Sequence, residues 1–307
     1  MQFAISIPQF VSDGAFDPDA FRGYMQRAEE LGFVSAWTQE QLFGRKSAID
    51  PLTAMTYAAA CTERIRLGCA VFVLPLHSPV HLAKSISSLD QVSRGRIEVG
   101  VGSGGRHRDF AAFGVAAAHI GDRTTEAIQI MRACWTGSPI THSGENWQID
   151  RAEMEPKPFQ KPYPPLWFGA HKRVALRRAV QFGDGFFGAG SSTTAQFAQE
   201  VVVLREILAQ QDRDPATFPV AKRVYIGVDD DGERVRQRVA TALEDLYGTH
   251  GRANGIAAVA VAGTPEACVQ GLREVADAGA GTIMLNLLFD DLAQMERLTT
   301  EVIPELA

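Results

Sequence analysis

The feature that most constrains this chain is an alternation. Eight short β-branched runs recur between stretches of helical periodicity: 3–7, 33–38, 65–74, 97–101, 166–169, 185–187, 220–228 and 282–288. Between the first two runs, Phe21, Tyr24, Met25, Ala28 and Leu31 follow i, i+3, i+4, i+7 and i+10, so their apolar groups share one helical stripe that would cover a sheet. The last unit is equally legible: Thr264 reads as N-cap, Pro265 as first helical residue, Cys268, Leu272 and Val275 as the buried face, and Gly279 as the stop. Eight strands alternating with helices either close into a (β/α)8 barrel or spread into an open doubly wound sheet. The count of eight, with no linker or composition shift dividing the chain, favours one α/β domain over residues 1–307, a TIM barrel with insertions at its C-terminal mouth.

Two stretches exceed the minimal repeat, 139–165, rich in Pro and polar residues, and 248–263, rich in Gly and Ala. Both are expected to be excursions over the barrel mouth or side, where specificity is often built, the first of them helping to exclude water.

Composition narrows the partners. The 307 residues carry a net charge of −6 with no long basic block, which argues against nucleic acid or an anionic membrane surface and for a small-molecule substrate. The start of the chain lacks the charged-then-apolar pattern of a leader, and no run reaches the roughly 18 apolar residues of a membrane span. The four cysteines form no C-x-x-C pair, so a reduced, cytoplasmic protein without a metal site is expected.

In a barrel of this kind the site lies at the C-terminal ends of the strands. Those positions include Gln9, Gln39, Glu40 and Gln41, then Leu74, Pro75 and His77, the loop 102–108, the loop 169–173, and Asn286. The run from Gly100 contains G-x-G-x-x-G, but the second strand with a terminal acid that a dinucleotide fold requires does not follow. Gly102, Ser103, Gly104 and Gly105 therefore mark either close backbone approach to a ligand or a tight turn. Gly169, Ala170, His171, Lys172 and Arg173 open a helix and read as an anion site or as a solvated basic turn. Glu40 is the clearest general acid or base, with pairing to an Arg as the alternative, and His107 beside the glycine loop is the candidate helper. His77 and His81 lack metal-site spacing. With no nucleophile motif in view, a bound organic cofactor is the economical explanation of the glycine-rich mouth. Phe10, Phe43, Leu74 and Trp147 would suit a largely apolar substrate.

Several segments carry a resemblance. Leu31-Gly-Phe33 leading to Trp37, the stretch from Arg64 to Gly68, Asp90 to Arg96, Val99 to Gly102, Pro164 to Gly169, Gly183-Asp-Gly185 and Gly263 to Glu266 resemble the bacterial-luciferase-like superfamily, in order and over nearly the whole chain. Within it, Trp37 to Gln41, Met154 to Pro158 and Ala175 to Ala179 look most similar to the coenzyme F420-dependent oxidoreductases. The resemblance implies a deazaflavin ring at the mouth, a phosphate tail at the loops after strands four and five, a non-proline cis peptide near Val71 and Phe72 backing the ring, and a homodimer. It also leaves two alternatives, an FMN-dependent monooxygenase using oxygen and a non-catalytic flavin- or deazaflavin-binding barrel. One position departs from the pattern, because Gln41 stands where many members carry His. An amide does not exchange a proton near neutral pH, so proton transfer would fall to Glu40 with His107, while Gln41 orients the substrate or ring.

Overall fold

The computed structural model describes residues 1–11, 15–44, 46–105, 107–116, 118–248 and 252–306, without the side chains of 107–109 and 252–254. Each of the eight expected runs is a strand of one barrel: Gln2–Ser6, Ser35–Thr38, Arg66–Val73, Ile97–Gly102, Leu166–Phe168, Gly185–Gly188, Val220–Val228 and Thr282–Asn286. All neighbours run parallel. The sixth strand pairs with the seventh through Phe186 and Val220, and the eighth returns to the first through Thr282 and Gln2, so no edge is left open.

The period of two along each strand sorts side chains into two cores. Ile5, Val99, Phe168, Ile226 and Ile283 face outward, where they meet buried faces of the helices. Helix α1 (Pro18–Glu30) buries Phe21, Tyr24, Met25 and Ala28, as its stripe requires, and starts on Asp17, whose carboxylate caps two backbone N–H groups. The last barrel helix, Pro265–Asp277, is capped by Thr264 and followed by Gly279 at φ +110°, a conformation natural to glycine.

The inward set is a different core, made of Ala4, Trp37, Trp167, Phe187, Ala221 and Met284. Its three aromatic rings pack edge to face, with Trp37 and Phe187 centroids 4.8 Å apart and Trp37 and Trp167 6.0 Å apart. Such rings fit inside the barrel because glycines stand opposite them. A Cβ on Gly68 would lie 2.4 Å from the Trp37 ring, and one on Gly185 would lie 2.6 Å from Trp167. This plug fills the interior of the barrel.

The third strand is irregular. Its pairing with the fourth shifts between Cys69 and Phe72, and the Ala70–Val71 peptide is cis, one bond before the expected position. Val71 turns toward the next two strands. Cβ atoms on Gly100, Gly102 and Gly169 would come within 3.3, 2.8 and 3.2 Å of its methyl groups, so these glycines make room for a protein side chain.

The stretch 139–165 forms an antiparallel hairpin, Ile140–Ser143 with Gln148–Ala152, and then an irregular segment. It follows the outside of the barrel. Glu126 on helix α4 (Ile120–Thr136) accepts hydrogen bonds from the Asn146 and Trp147 backbone N–H groups and the Asn146 amide, and Arg123 lies under the Trp147 ring at 4.3 Å. Farther on, Gln160 donates through N and Nε2 to both carboxylate oxygens of the buried Asp90, each at 2.8 Å. The stretch 248–263 includes the short helix Arg252–Ala257, whose Ile256 packs on Tyr225 and Leu243, and the strand Val261–Gly263, which extends the seventh strand in parallel. Among the described residues no helix is long and apolar enough to cross a membrane.

Candidate active site

The loops after the second, third, fourth and seventh strands enclose a cavity of about 210 Å³ at the mouth, lined by Gln39, Glu40, Gln41, Leu42, Phe43, Ala70, Val71, Val73, Leu76, Gly104, Gly105, Phe110, Phe113, Arg223 and Tyr247. One side of the lining is apolar. Phe43 is half exposed and meets Phe113 at 5.8 Å between ring centroids, forming an apolar rim.

Glu40 follows the second strand, and its side chain is 2% exposed. A carboxylate so placed needs partners. One oxygen accepts the Val73 backbone N–H at 2.7 Å, and the other meets His77 Nε2 at 2.6 Å. The partner of Glu40 is thus a histidine, not an arginine. His77 lies just past the 3-10 turn Leu74–Leu76, edge-on to the fully buried Phe72 with ring centroids 6.0 Å apart, and its side chain remains 23% exposed. Glu40 touches the cavity while His77 reaches solvent behind it. That order suits the passage of a proton between cavity and water.

A second polar group sits beside the first. Gln9 clamps the backbone of Gln39 from both sides, accepting its N–H at 2.6 Å and donating to its carbonyl at 2.8 Å. The Gln39 side-chain oxygen accepts from Arg223 Nη1 at 2.8 Å and from the Tyr247 hydroxyl at 3.4 Å, and the Tyr225 and Tyr247 hydroxyls are 2.5 Å apart.

Of the residues singled out in the sequence, the structure brings Glu40, Gln41, Val71, Gly104 and Gly105 into this one cavity. Gln41 lies against Gly44, where a Cβ would strike its amide. Phe72 lies in the outer core, Gly102 is buried against Val71, and Ser103 accepts a hydrogen bond from Thr124. The side chain of His107 lies outside the described residues. Among the apolar candidates Phe43 lines the cavity, Leu74 is buried core, Phe10 lines an adjoining cavity, and Trp147 stands on the outer hairpin. No residue of 139–165 lines the mouth cavity, so the expected shield is instead a brace along helices α3 (Pro79–Val92) and α4.

The loop after the fifth strand forms a separate cavity with the loop after the sixth, lined among others by His171, Arg173, Ser191, Ser192 and Glu200. Two of its cations are already paired: His171 Nδ1 meets Glu200 at 2.8 Å, and Arg173 meets Glu206 at 3.0 Å. Lys172 is exposed, Ala170 is buried, and Gly169 packs against Val71.

Sequence reasoning missed His77 as the partner of Glu40, and it missed Arg223 and Tyr247 altogether. For His77 no local signal exists, since 37 residues separate it from Glu40. For Arg223 a signal was present: Lys222 and Arg223 are adjacent charges inside an otherwise apolar strand, which places one of them inside the barrel.

A closed parallel barrel with its cavity at the strand C-termini and an acid–imidazole pair in its wall belongs to the class of (β/α)8 barrels. Residues 1–282 match the model of the luciferase-like monooxygenases, and the chain belongs to that family. The oxygenase component of a flavin-dependent trigonelline monooxygenase from Acinetobacter baylyi is 30% identical over 161 residues, 52% of this chain and 44% of that one. The chain spans about half the length of such curated relatives in these matches. Among solved structures, the monooxygenase RslO1 from Streptomyces bottropensis superposes with a TM-score of 0.85 at 23% identity, covering 100% of both chains. An F420-dependent secondary alcohol dehydrogenase in complex with an F420-acetone adduct superposes with a TM-score of 0.84 at 19% identity, covering 100% of this chain and 99% of that one.

Proposed function

We propose that this chain is an oxidoreductase that exchanges a hydride between coenzyme F420 and a small organic substrate in the mouth cavity. The observation that carries the reading is the buried Glu40–His77 pair, open to the cavity on one side and to water on the other. Hydride exchange with an alcohol or carbonyl must be matched by movement of one proton, and this pair is placed to move it.

The residues fit a flat heteroaromatic ring. Ala70, Val71, Val73 and Leu76 offer an apolar wall, and Gly104, packed against Val73, and Gly105 add bare backbone beside it. In the separate cavity beside the loops after the fifth and sixth strands, Ser191 and Ser192 would bond an anionic tail, with His171 and Arg173 joining them by exchanging their present partners Glu200 and Glu206. When bound, the deazaflavin supplies a carbon that accepts or donates the hydride. The protein supplies the rest. Glu40 takes the substrate hydroxyl proton, and His77, which meets the same carboxylate at 2.6 Å and is exposed on its far edge, connects that carboxylate to solvent for the proton's release. Gln41 orients the substrate without proton exchange. The aromatic plug below the cavity closes the barrel to water from the other end.

The flavin-dependent relative supports a second reading, in which reduced FMN and oxygen serve the same cavity. Fluorescence titration with F420 and, separately, FMN at matched ionic strength separates the two. Micromolar or tighter binding of F420 with weak FMN binding is the expected result; the reverse preference, with turnover that needs oxygen and a flavin reductase, replaces the first reading by the second.

A further inference from the structure

We infer that the substrate carries a carboxylate, received by Arg223 and Gln39 in the mouth cavity. The inference rests on the oxidoreductase reading and adds the chemical class of substrate to it. Arg223 stands on the seventh strand, two residues beyond Ala221 of the aromatic plug, and so projects into the barrel just above it. Its guanidinium has no carboxylate within 4 Å among the described residues; its hydrogen-bonding partner is the neutral oxygen of Gln39. The nearest acid of the cavity wall, Glu40, is already engaged by His77 and the Val73 N–H.

Each member of the Arg223–Gln39 pair has a buried donor left over. Arg223 Nε and Gln39 Nε2 are shielded from solvent and have no hydrogen-bond partner. The Gln39 amide cannot turn to relieve this, because its oxygen is held by Arg223 and Tyr247 and its backbone by Gln9. Arg223 is covered by groups that carry no carboxylate: the Gly190 backbone packs against Nε, where a Cβ would lie at 2.9 Å, and the Tyr225 ring centroid lies 5.3 Å from the guanidinium carbon. A buried cation without a counter-ion is costly to a fold, and a guanidinium fork matches the two oxygens of a carboxylate. The apolar rim of Phe43, Phe113 and Leu76 would then receive the remainder of the molecule. The substrate is accordingly an apolar acid bearing the reacting alcohol or carbonyl, rather than the wholly apolar molecule suggested by the rim alone.

The test compares phenylacetate with its neutral isostere phenylacetamide by isothermal titration calorimetry, on the protein both with and without the cofactor that binds it. Phenylacetate is expected to bind at least 30-fold more tightly, and Arg223→Met is expected to erase that difference while the Kd for the cofactor changes less than threefold. Arg223→Lys, which keeps the charge and loses the fork, and Gln39→Leu should each weaken phenylacetate selectively, and they decide the matter should Arg223→Met fail to fold. Equal binding of the two probes to the wild-type protein overturns the inference. So does a loss of cofactor affinity in Arg223→Met with the probe preference intact, which would assign the guanidinium to the cofactor ring. If neither F420 nor FMN binds, the proposed function fails, while the probe comparison still decides the anion site.

Discussion

Glu40 shows how one side chain acquires a role from its neighbours. A carboxylate 2% exposed would be costly if alone, and the Val73 N–H at 2.7 Å together with the His77 imidazole at 2.6 Å makes it tolerable while leaving it at the cavity wall. Glu40→Gln keeps the shape and removes the charge and the exchangeable proton. Turnover is expected to fall at least ~100-fold, with the Kd for the cofactor within threefold of wild type. His77→Gln, which cuts the path to water and spares the wall, should cost ~10-fold or more in kcat; steady-state turnover and binding titrations check both. Unchanged turnover in Glu40→Ala would remove Glu40 from the mechanism. Glu40 could be read from the sequence because an acid directly after a buried strand is conspicuous, whereas its partner could not, because only the bend of the chain at Leu74–Leu76 turns His77 back upon it.

The strands show the same dependence at the next scale. Gly68 lies in the third strand because the Trp37 ring occupies the place of its side chain, so Gly68→Ala should destabilise the protein by about 1–3 kcal/mol through overpacking. Gly23, within helix α1 with nothing inside 4 Å of a built Cβ, is the control: Gly23→Ala should stabilise by about 0.5–1 kcal/mol. Urea unfolding of both variants tests the pair, and a stable Gly68→Ala would mean that the plug can shift. The seventh strand adds a pH effect. Lys222 donates to the carbonyls of Ala189 and, at 3.0 Å, Ser192, and burial, reinforced by the charge of Arg223, pulls its ammonium down from 10.5 to about 8. Above about pH 8 the folded protein has released this proton while the unfolded chain holds it up to 10.5, so stability rises with pH across that window and the cost of the buried charge is fully present below it. Relative to Lys222→Met, the wild-type protein should therefore gain about 1–3 kcal/mol between pH 8 and 10.5. Parallel stability profiles for the two proteins would show that the ammonium keeps its ordinary proton affinity.

Across the whole molecule, the barrel separates stability from chemistry. The plug and the outer core fill the barrel and its periphery, and the cavity that holds Gln39, Glu40 and Arg223 lies at the mouth. Ligand binding to the folded state alone raises stability by mass action, about 2.7 kcal/mol at a concentration 100 times the Kd. The preferred cofactor should therefore raise Tm measurably in a thermal scan, and the other should not at the same concentration. A rise with neither would detach the mouth cavity from ring binding.

What the sequence determined by itself was whatever depends on local period and local chemistry. The eight strands and the stripe of helix α1 follow from the alternation of apolar residues, and the cap at Thr264 follows from a side chain that bonds its own helix start. Glu40, Gln41 and the glycine loop could be placed at the mouth because every parallel strand of such a barrel ends there. The tertiary structure alone decided what those positions face. It gave Glu40 a histidine 37 residues away and set Gln39 under an arginine 184 residues away. It also set Gly102 and Gly169 against Val71, and laid the 139–165 excursion along the outside of the barrel. The reason is physical: a period or a cap is fixed by atoms a few residues apart, whereas the partner of a buried charge is fixed by the closure of the barrel, which brings together strands that the sequence keeps far apart.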